Sequence, residues 1–419
     1  MWAHSSRASA LRNRVREFSA ARIRLPLAKT VPAFQLPPMD SPQSAPVPAA
    51  DITPELRMQV LRWLWRWCGR LALAMMLLWT VAFGLQAVCL RWLGEGNLCT
   101  AFLLFLPPGI WVLPGVLTWL CTLLFRWRAA LVLGLVAALI FVWQMGWRAG
   151  SDPVPAAREQ RAPETLVLLT NNRGQGGGHS LRPFKDYIQP DIMVFQESST
   201  PAATYLADPG YGEFTHGESV SDFTLISRFP VSAGRLILWS GKRTVRPFAY
   251  AARFEVDWNG RRIAVYVVHL RSPREVLLGL RWGGFVRGIP LPFKEWRERA
   301  AQEMVFWQDQ LDMAADLERQ VAAESLPCIV AGDFNAPHVG AIHRRLTNRL
   351  QDAHEVSGHG CGFTFPGETH NPLSLGGPWL RIDQILLDSR WKVEACWTED
   401  LRKSQHRAVA ALLKWKPEP

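Results

Sequence analysis

A chain of 419 residues is long enough for one large domain with an appendage, or for two ordinary domains. Its net charge of +11 does not mark a nucleic-acid surface on the folded part, because residues 1–70 carry 11 Lys/Arg against 4 Asp/Glu while the remainder is nearly balanced, 36 against 32. Seven cysteines exclude a disulfide-built scaffold: Cys68, Cys89, Cys99 and Cys121 lie in or beside apolar runs, none has zinc-ligand spacing, and at most one bridge is left for Cys328, Cys361 and Cys396.

Residues 1–56 are rich in Arg, Ser, Ala and Pro, and are expected to form a disordered basic tail. Three apolar runs follow within residues 57–150. Leu71–Leu90 is 20 residues without a charge, Asn97–Phe125 is uncharged but interrupted by Pro107, Pro108 and Pro114, and Ala129–Trp147 is 19 residues without a charge. Roughly 20 apolar residues cross the hydrocarbon core of a bilayer, so three transmembrane helices are expected, the middle one kinked. Trp63, Trp65, Trp67, Trp92, Trp127 and Trp147 stand at the ends of these runs, as interfacial tryptophans do. Arg57, Arg62, Arg66 and Arg70 precede the first run, and Arg126-Trp127-Arg128 separates the second from the third. The positive-inside rule then places the N-terminus in the cytoplasm and everything after Trp147 outside, a multi-pass protein of the cell membrane. No charge lies inside the runs, so a transport pathway through them has no support. Residues 151–164, with Pro153, Pro155 and Pro163, read as a linker.

From residue 165 to 419 the pattern is one of short apolar runs and turns. Thr165–Thr170 and Asp191–Phe195 read as buried strands with a helix between them. An Asn259-Gly260 turn joins two long alternating strands within Phe248–Leu270. Lys294–Ala323 has helical period, and Pro327–Asp333, Ile382–Leu387 and Arg407–Leu413 are further strands. A mixed α/β domain is expected. Arg271–Phe293 lacks a clean period and interleaves Arg271, Arg274, Arg281 and Arg287 with apolar residues, a composition suited to a lipid headgroup layer.

Polar residues gather at the strand ends: Asn172, Gln196-Glu197, His269, Gly332-Asp333-Phe334-Asn335, Asp383 and His406. An acid and an amide two apart on an extended segment share a face. Hydrolysis of a phosphate ester needs charge neutralised on the non-bridging oxygens, a positioned water and help for the leaving oxygen. Carboxylates suit Mg²⁺ or Mn²⁺, and an Asp beside a His fixes the imidazole and raises its basicity. Asn171 competes with Asn172 for the first position, and Asp383 beside Arg381 has a salt bridge as its plainer reading. His179, His216, His338, His343, His354, His359 and His370 read as surface or loop residues.

TNN, PDIMVFQE, LISRFPV, VVHL, IVAGDFNAPH, LQDA, GFTFPG, RIDQILL and SQHRAV occur in the order found in the endonuclease/exonuclease/phosphatase superfamily, and residues 165–417 resemble it throughout. The resemblance implies a two-sheet β-sandwich flanked by helices, a four-layer α/β fold of the deoxyribonuclease kind, with the site at one edge; the preceding helices resemble a membrane-bound bacterial branch. It also implies roles. Glu197 is the principal metal ligand with Asn172 beside it, Asp333 orients or deprotonates the attacking water, and Asn335 positions the phosphate. His406, held by Asp383, stabilises developing charge or shuttles a proton, and His269 is the second histidine. Gln405 stands where the family usually has Asp, so a metal ligand there would be neutral, and Gly174 stands where many nucleases carry an acid. The expected function is metal-dependent hydrolysis of a phosphodiester or phosphomonoester outside the membrane, on a lipid-linked, small-molecule or nucleic-acid substrate, with membrane lipid as surroundings and no obligatory protein partner. The alternatives are an extracytoplasmic nuclease and a catalytically impaired phosphate-binding module.

Overall fold

The computed structural model describes residues 53–150, 152–174, 180–241, 247–278, 294–367, 377–400 and 404–416. The basic tail, most of the Gly174–Gly178 run, His179, His370 and residues 279–293 of the basic–apolar segment lie outside them. Met58–Pro419 form one compact unit, so the apolar helices and the sandwich belong to one body.

Two helices are long and apolar enough to cross a membrane: α1 (Pro54–Trp92) and α3 (Gly109–Gln144). Between them lie a 3-10 turn, Gly94–Gly96, and the short α2 (Leu98–Leu103), whose N-terminus is capped by the Asn97 side chain at 2.9 Å from the Cys99 N–H. The three separate spans expected above are therefore corrected in two respects. First, Asn97–Pro108 is not part of a span. The prolines at 107 and 108 end the short helix, and its apolar face packs on the C-terminal domain instead, with Leu90, Leu98, Phe102 and Phe105 clustered against Trp307, Leu380 and Ile382. Second, the last two runs are not joined by a loop: α3 is two helical limbs that meet directly at Arg126, whose backbone leaves the helical region (φ −144°, ψ 55°). Trp119 donates its indole N–H to the carbonyl of Ala130 at 3.1 Å, although eleven residues of straight helix would separate them by about 16 Å. The first limb runs antiparallel to α1, with the Thr122 hydroxyl donating to the Ala72 carbonyl at 3.0 Å and Trp65 against Phe125 at 4.6 Å. The second returns along it, bringing Trp143 under the Arg91 guanidinium.

After a two-residue strand, β1 (Arg148–Ala149), which pairs with β11 (His359–Gly360), the chain builds two six-stranded sheets. One has the order β13 (Trp391–Thr398), β14 (Val409–Trp415), β2 (Thr165–Asn172), β3 (Ile192–Gln196), β5 (Phe223–Ser227), β4 (His216–Val220). The other runs β10 (Gln351–Asp352), β12 (Asp383–Leu387), β9 (Cys328–Asp333), β8 (Arg261–His269), β7 (Phe248–Trp258), β6 (Arg235–Trp239). Alternation aims Leu166, Leu168, Ile192 and Val194 of the first sheet at Val256, Val265, Val267 and Ile329 of the second, and these form the central core. Helices α4 (Arg182–Ile188) and α5 (Ala202–Ala207) cover the outer face of the first sheet. On the second, the outer cover is α7 (Lys294–Ala322) and α8 (Ala341–Thr347). The short α6 (Arg274–Leu278) and α9 (Ala353–Ser357) complete the described helices. The result is the expected four-layer sandwich. The β7–β8 hairpin turns on Asn259 (φ 53°) and Gly260 (φ 82°), the pair of positive φ values that a two-residue primed turn needs. All seven cysteines are free.

Candidate active site

Each sheet contains one parallel pair, β2 with β3 and β8 with β9, and these set the site. Parallel pairing brings the C-terminal ends of neighbouring strands together. Asn172 lies opposite Gln196 on one sheet, and His269 opposite Asp333 on the other. Antiparallel β12 begins where β9 ends, so Asp383 is the register partner of Asp333. Three functional side chains thus sit on three adjacent strands in one row. Asn172 reaches them from the facing sheet.

The contacts form one connected network. The Asn172 amide N–H donates to Asp333 Oδ2 at 2.9 Å and to Glu197 Oε1 at 3.2 Å, while its oxygen accepts the Gly174 N–H at 2.8 Å. Asn335 donates its backbone N–H to Asp333 Oδ1 at 2.8 Å and its side-chain amide to the Leu270 carbonyl at 2.9 Å. His269 Nε2 lies 3.3 Å from Glu197 and 4.0 Å from Asp333. His406 Nδ1 is 3.0 Å from Asp383 Oδ2, its Nε2 is 3.8 Å from Asp333, and the Phe365 ring packs on it at 4.8 Å. Thr364 ties this wall together, accepting the N–H groups of Ile382 and Asp383 on its hydroxyl at 3.2 Å each.

Backbone strain marks the same spot. Glu197 (φ 49°) and Asn335 (φ 45°) occupy the left-handed region, which a residue other than glycine enters at a cost. Both are held there by the network just described. Burial pushes the Asp333 carboxyl up, against the pull of His406 and His269. Burial opposes charge on the histidines too, but Asp222 and Glu197 raise His269 to about 10, and Asp383 and Asp333 raise His406 to about 9. A hydrogen bond from His269 holds Glu197 below the ordinary carboxylate value. The site is therefore acid-rich, with two imidazoles held against its carboxylates.

Asn172 rather than Asn171 belongs to this network, and Asp383 pairs with His406 rather than with Arg381. Gln405 is not brought in: its side chain is exposed, and what it offers is a backbone carbonyl accepting the Gly367 N–H at 2.6 Å. Asp222, at the tip between β4 and β5, is a member that sequence reasoning missed; its carboxylate lies 3.7 Å from His269 Nδ1. In the sequence it reads only as a turn residue after Ser221. The expectation that His338, His343 and His354 are surface residues is corrected, since all three are buried behind the site. His343 contacts Gln384 at 2.9 Å, Gln384 donates to the Ala336 carbonyl at 3.1 Å, and Arg381 pairs with buried Asp352. This cluster supports the strand ends from behind, and the Arg381 guanidinium already supplies its positive charge.

Carboxylate oxygens and an imidazole nitrogen converge at the front. The ligand atoms of Asp333, Asp383 and His406 lie within 4.8 Å of one another, and Glu197 joins them through Asn172. Such a donor set fits a divalent cation. A family model described as Endonuclease/Exonuclease/phosphatase family matches residues 167–406, spanning every strand that carries the site. The chain belongs to the endonuclease/exonuclease/phosphatase family. Members of this family are divalent-metal-dependent hydrolases of phosphate esters. Solved structures similar to the chain include a humanized D. rerio TDP2 carrying 14 mutations, 16% identical over 60% of this chain and 99% of that one, with a TM-score of 0.41. An endonuclease/exonuclease/phosphatase family protein from Leptotrichia buccalis is 13% identical over 60% and 100%, with a TM-score of 0.39. A family protein from Bacteroides thetaiotaomicron is 15% identical over 61% and 96%, also with a TM-score of 0.39. No curated protein matches the chain.

Proposed function

We propose that the chain is a membrane-anchored phosphoesterase, using Mg²⁺ or Mn²⁺, that cleaves a lipid-linked or small phosphate ester outside the cytoplasmic membrane. The observation that carries the chemistry is the convergence of Asn172, Glu197, His269, Asp333, Asn335, Asp383 and His406 through hydrogen bonds and ion-pair contacts of 2.9–3.8 Å. Glu197, with Asn172 at its side, would hold the cation, which when bound neutralises charge on the non-bridging oxygens. Asp333, raised by burial, is placed to take a proton from the attacking water. The water oxygen bonds to phosphorus and the bond to the leaving oxygen breaks. His269 and His406, each made more basic by the carboxylates beside it, are placed to meet the negative charge that develops. Asp383 fixes the His406 ring, and Asp222 does the same for His269.

The membrane part of the reading is supported by where the helices meet the domain. The turn after α1 is bound to the domain at α8: the Glu95 carboxylate accepts the Ala341 and Ile342 N–H groups at 2.7 and 3.2 Å. In return Arg344 donates to the Arg91 and Trp92 carbonyls at the C-terminus of α1. The Trp379 indole N–H donates to Phe105 at 3.1 Å. The site's flank, the α1–α3 turn and the chain after Trp147 thus share one end of the helices. Phe125-Arg126 lies toward the other, beside Trp65 and Gly69 of α1.

The assay is turnover of bis(4-nitrophenyl) phosphate by the full-length protein in detergent, with and without divalent metal. Hydrolysis should require metal, and Glu197→Ala and Asp333→Ala should each reduce it by ~10²–10⁴-fold with the melting temperature retained. Activity within a few-fold of the parent in either variant would sink the assignment of the site, and metal-independent turnover would sink the metal.

A further inference from the structure

α1 and the two limbs of α3 do not close on one another. Between them lies a cavity of about 450 Å³ whose lining is wholly apolar. Trp79 and Phe83 of α1, Trp119 of the first limb and Phe141 of the second form its walls. Glycine makes the walls possible: a Cβ on Gly115 would lie 2.2 Å from the Trp79 ring, and one on Gly134 would lie 2.7 Å from the Trp119 nitrogen. The rim residues Leu131 and Leu135 are exposed, so the cavity opens sideways, where the surroundings of an anchor helix are lipid.

Resting on the phosphoesterase reading above, we infer that this cavity holds the apolar tail of the substrate, a phosphate ester of a long-chain amphiphile. Its lining of apolar side chains suits a flexible hydrocarbon chain. Position argues for the substrate rather than for any passing lipid. The cavity's upper wall is Phe83, and the helical rise from Phe83 to Leu90 is about 10 Å. Leu90 packs in one cluster with Leu380 and Ile382, and Ile382 precedes Asp383 of the catalytic wall. Because the tail leaves one apolar medium for another, the cavity adds orientation more than affinity, holding the phosphate near Glu197 and Asp333.

The experiment compares 4-nitrophenyl ethyl phosphate with 4-nitrophenyl hexadecyl phosphate in mixed micelles, using full-length protein; both release the same phenolate. Ala138→Phe and Leu135→Trp fill the cavity from exposed positions on its lining, and Leu139→Trp, exposed but outside the lining, is the control. The filled variants should lose about tenfold or more in kcat/KM on the hexadecyl ester, and stay within about twofold on the ethyl ester, with the control unchanged on both. Equal losses on both esters, a loss in the control, or no loss at all would overturn the tail site while leaving the ethyl-ester activity as support for the phosphoesterase. If the parent cleaves neither ester, the phosphoesterase reading falls and the tail site falls with it.

Discussion

Gly332 shows how closely one backbone position can govern the site. It pairs in register with Val268, its φ is 148°, and a Cβ there would meet the Val268 carbonyl oxygen at 2.0 Å. Only glycine lets β9 approach β8 closely enough to align Asp333 with His269. Gly332→Ala should therefore destabilise the protein by about 2 kcal/mol or more and lower its melting temperature, read by thermal unfolding in detergent. The motif GDFN was legible in the sequence. The reason for its glycine was not, because it depends on a partner strand some sixty residues away. Gln405 teaches the opposite lesson. The departure from Asp was visible, yet with its side chain exposed, Gln405→Asp should move the half-saturating metal concentration by less than the ~10–100-fold of a ligand or its direct support. A metal titration that shifts by more would return position 405 to the coordination sphere. A third residue concerns stability alone. Burial pushes the Glu324 carboxyl up, but Arg253 at 2.6 Å, the Leu326 N–H and the Tyr266 hydroxyl outweigh it and hold it at about 2. A folded-state value below the ordinary 4.5 means that this contribution is full above 4.5 and is lost as pH falls toward 2. Glu324→Gln should lower stability at neutral pH and flatten its acid decline within that window, as followed by denaturant unfolding across pH.

At the scale of elements, the long periodic segments were readable and the short ones were not. The β2, β3, β9 and β12 runs are continuous and apolar because both faces of each strand are covered, and β7–β8 alternates around an Asn-Gly turn. By contrast β4 (HGESV) has no buried side and therefore no pattern, and β13 follows Asp388 without a break that composition reveals. The buried His338, His343 and His354 were hidden for a related reason: a polar residue is buried when distant partners satisfy it, and Asp352, Arg381 and Gln384 are distant in sequence. The α1–α2 turn is the clearest case. In the sequence Glu95 is a lone acid close to Arg91 between two apolar runs; in the structure it is wholly buried and seats α8, which follows the Asp333–Asn335 strand end. Close approach there requires Gly94 (φ 48°) and Gly340, whose Cβ would fall 2.3 Å from the Glu95 carboxylate. Glu95→Leu strands two buried N–H groups, a loss of about 1–3 kcal/mol each, whereas Glu95→Gln keeps an acceptor and should lose less. Thermal unfolding of the full chain should rank the parent above Gln and Gln above Leu; an unchanged melting temperature for Leu would mean that the turn does not hold α8.

For the whole molecule, hydropathy marked the apolar segments, but only the fold shows which of them run together. Asn97–Phe125 read as one kinked span because prolines and apolar residues alone do not say whether an apolar face meets lipid or protein. In the structure its first part serves the domain and its second part begins α3. The consequence is topological. α1 leads from residues 54–70 to the domain, the first limb of α3 leads away to Arg126, and the second leads back to Trp147. Arg126 lies beside Gly69 and Phe125 against Trp65, so Arg62, Arg66, Arg70, Arg126 and Arg128 collect at the end far from the domain. On the membrane reading proposed above, positively charged flanks stay in the cytoplasm, and the N-terminus and this basic end would then lie inside with the domain outside. Epitope tags with a specific protease site can be joined to Met1 and to Pro419 of the full chain expressed in bacterial cells. In intact spheroplasts the protease should remove the C-terminal tag and spare the N-terminal one, and lysis should expose both. Loss of the N-terminal tag with retention of the C-terminal one would invert the topology, and would leave the phosphate ester to be sought in the cytoplasm.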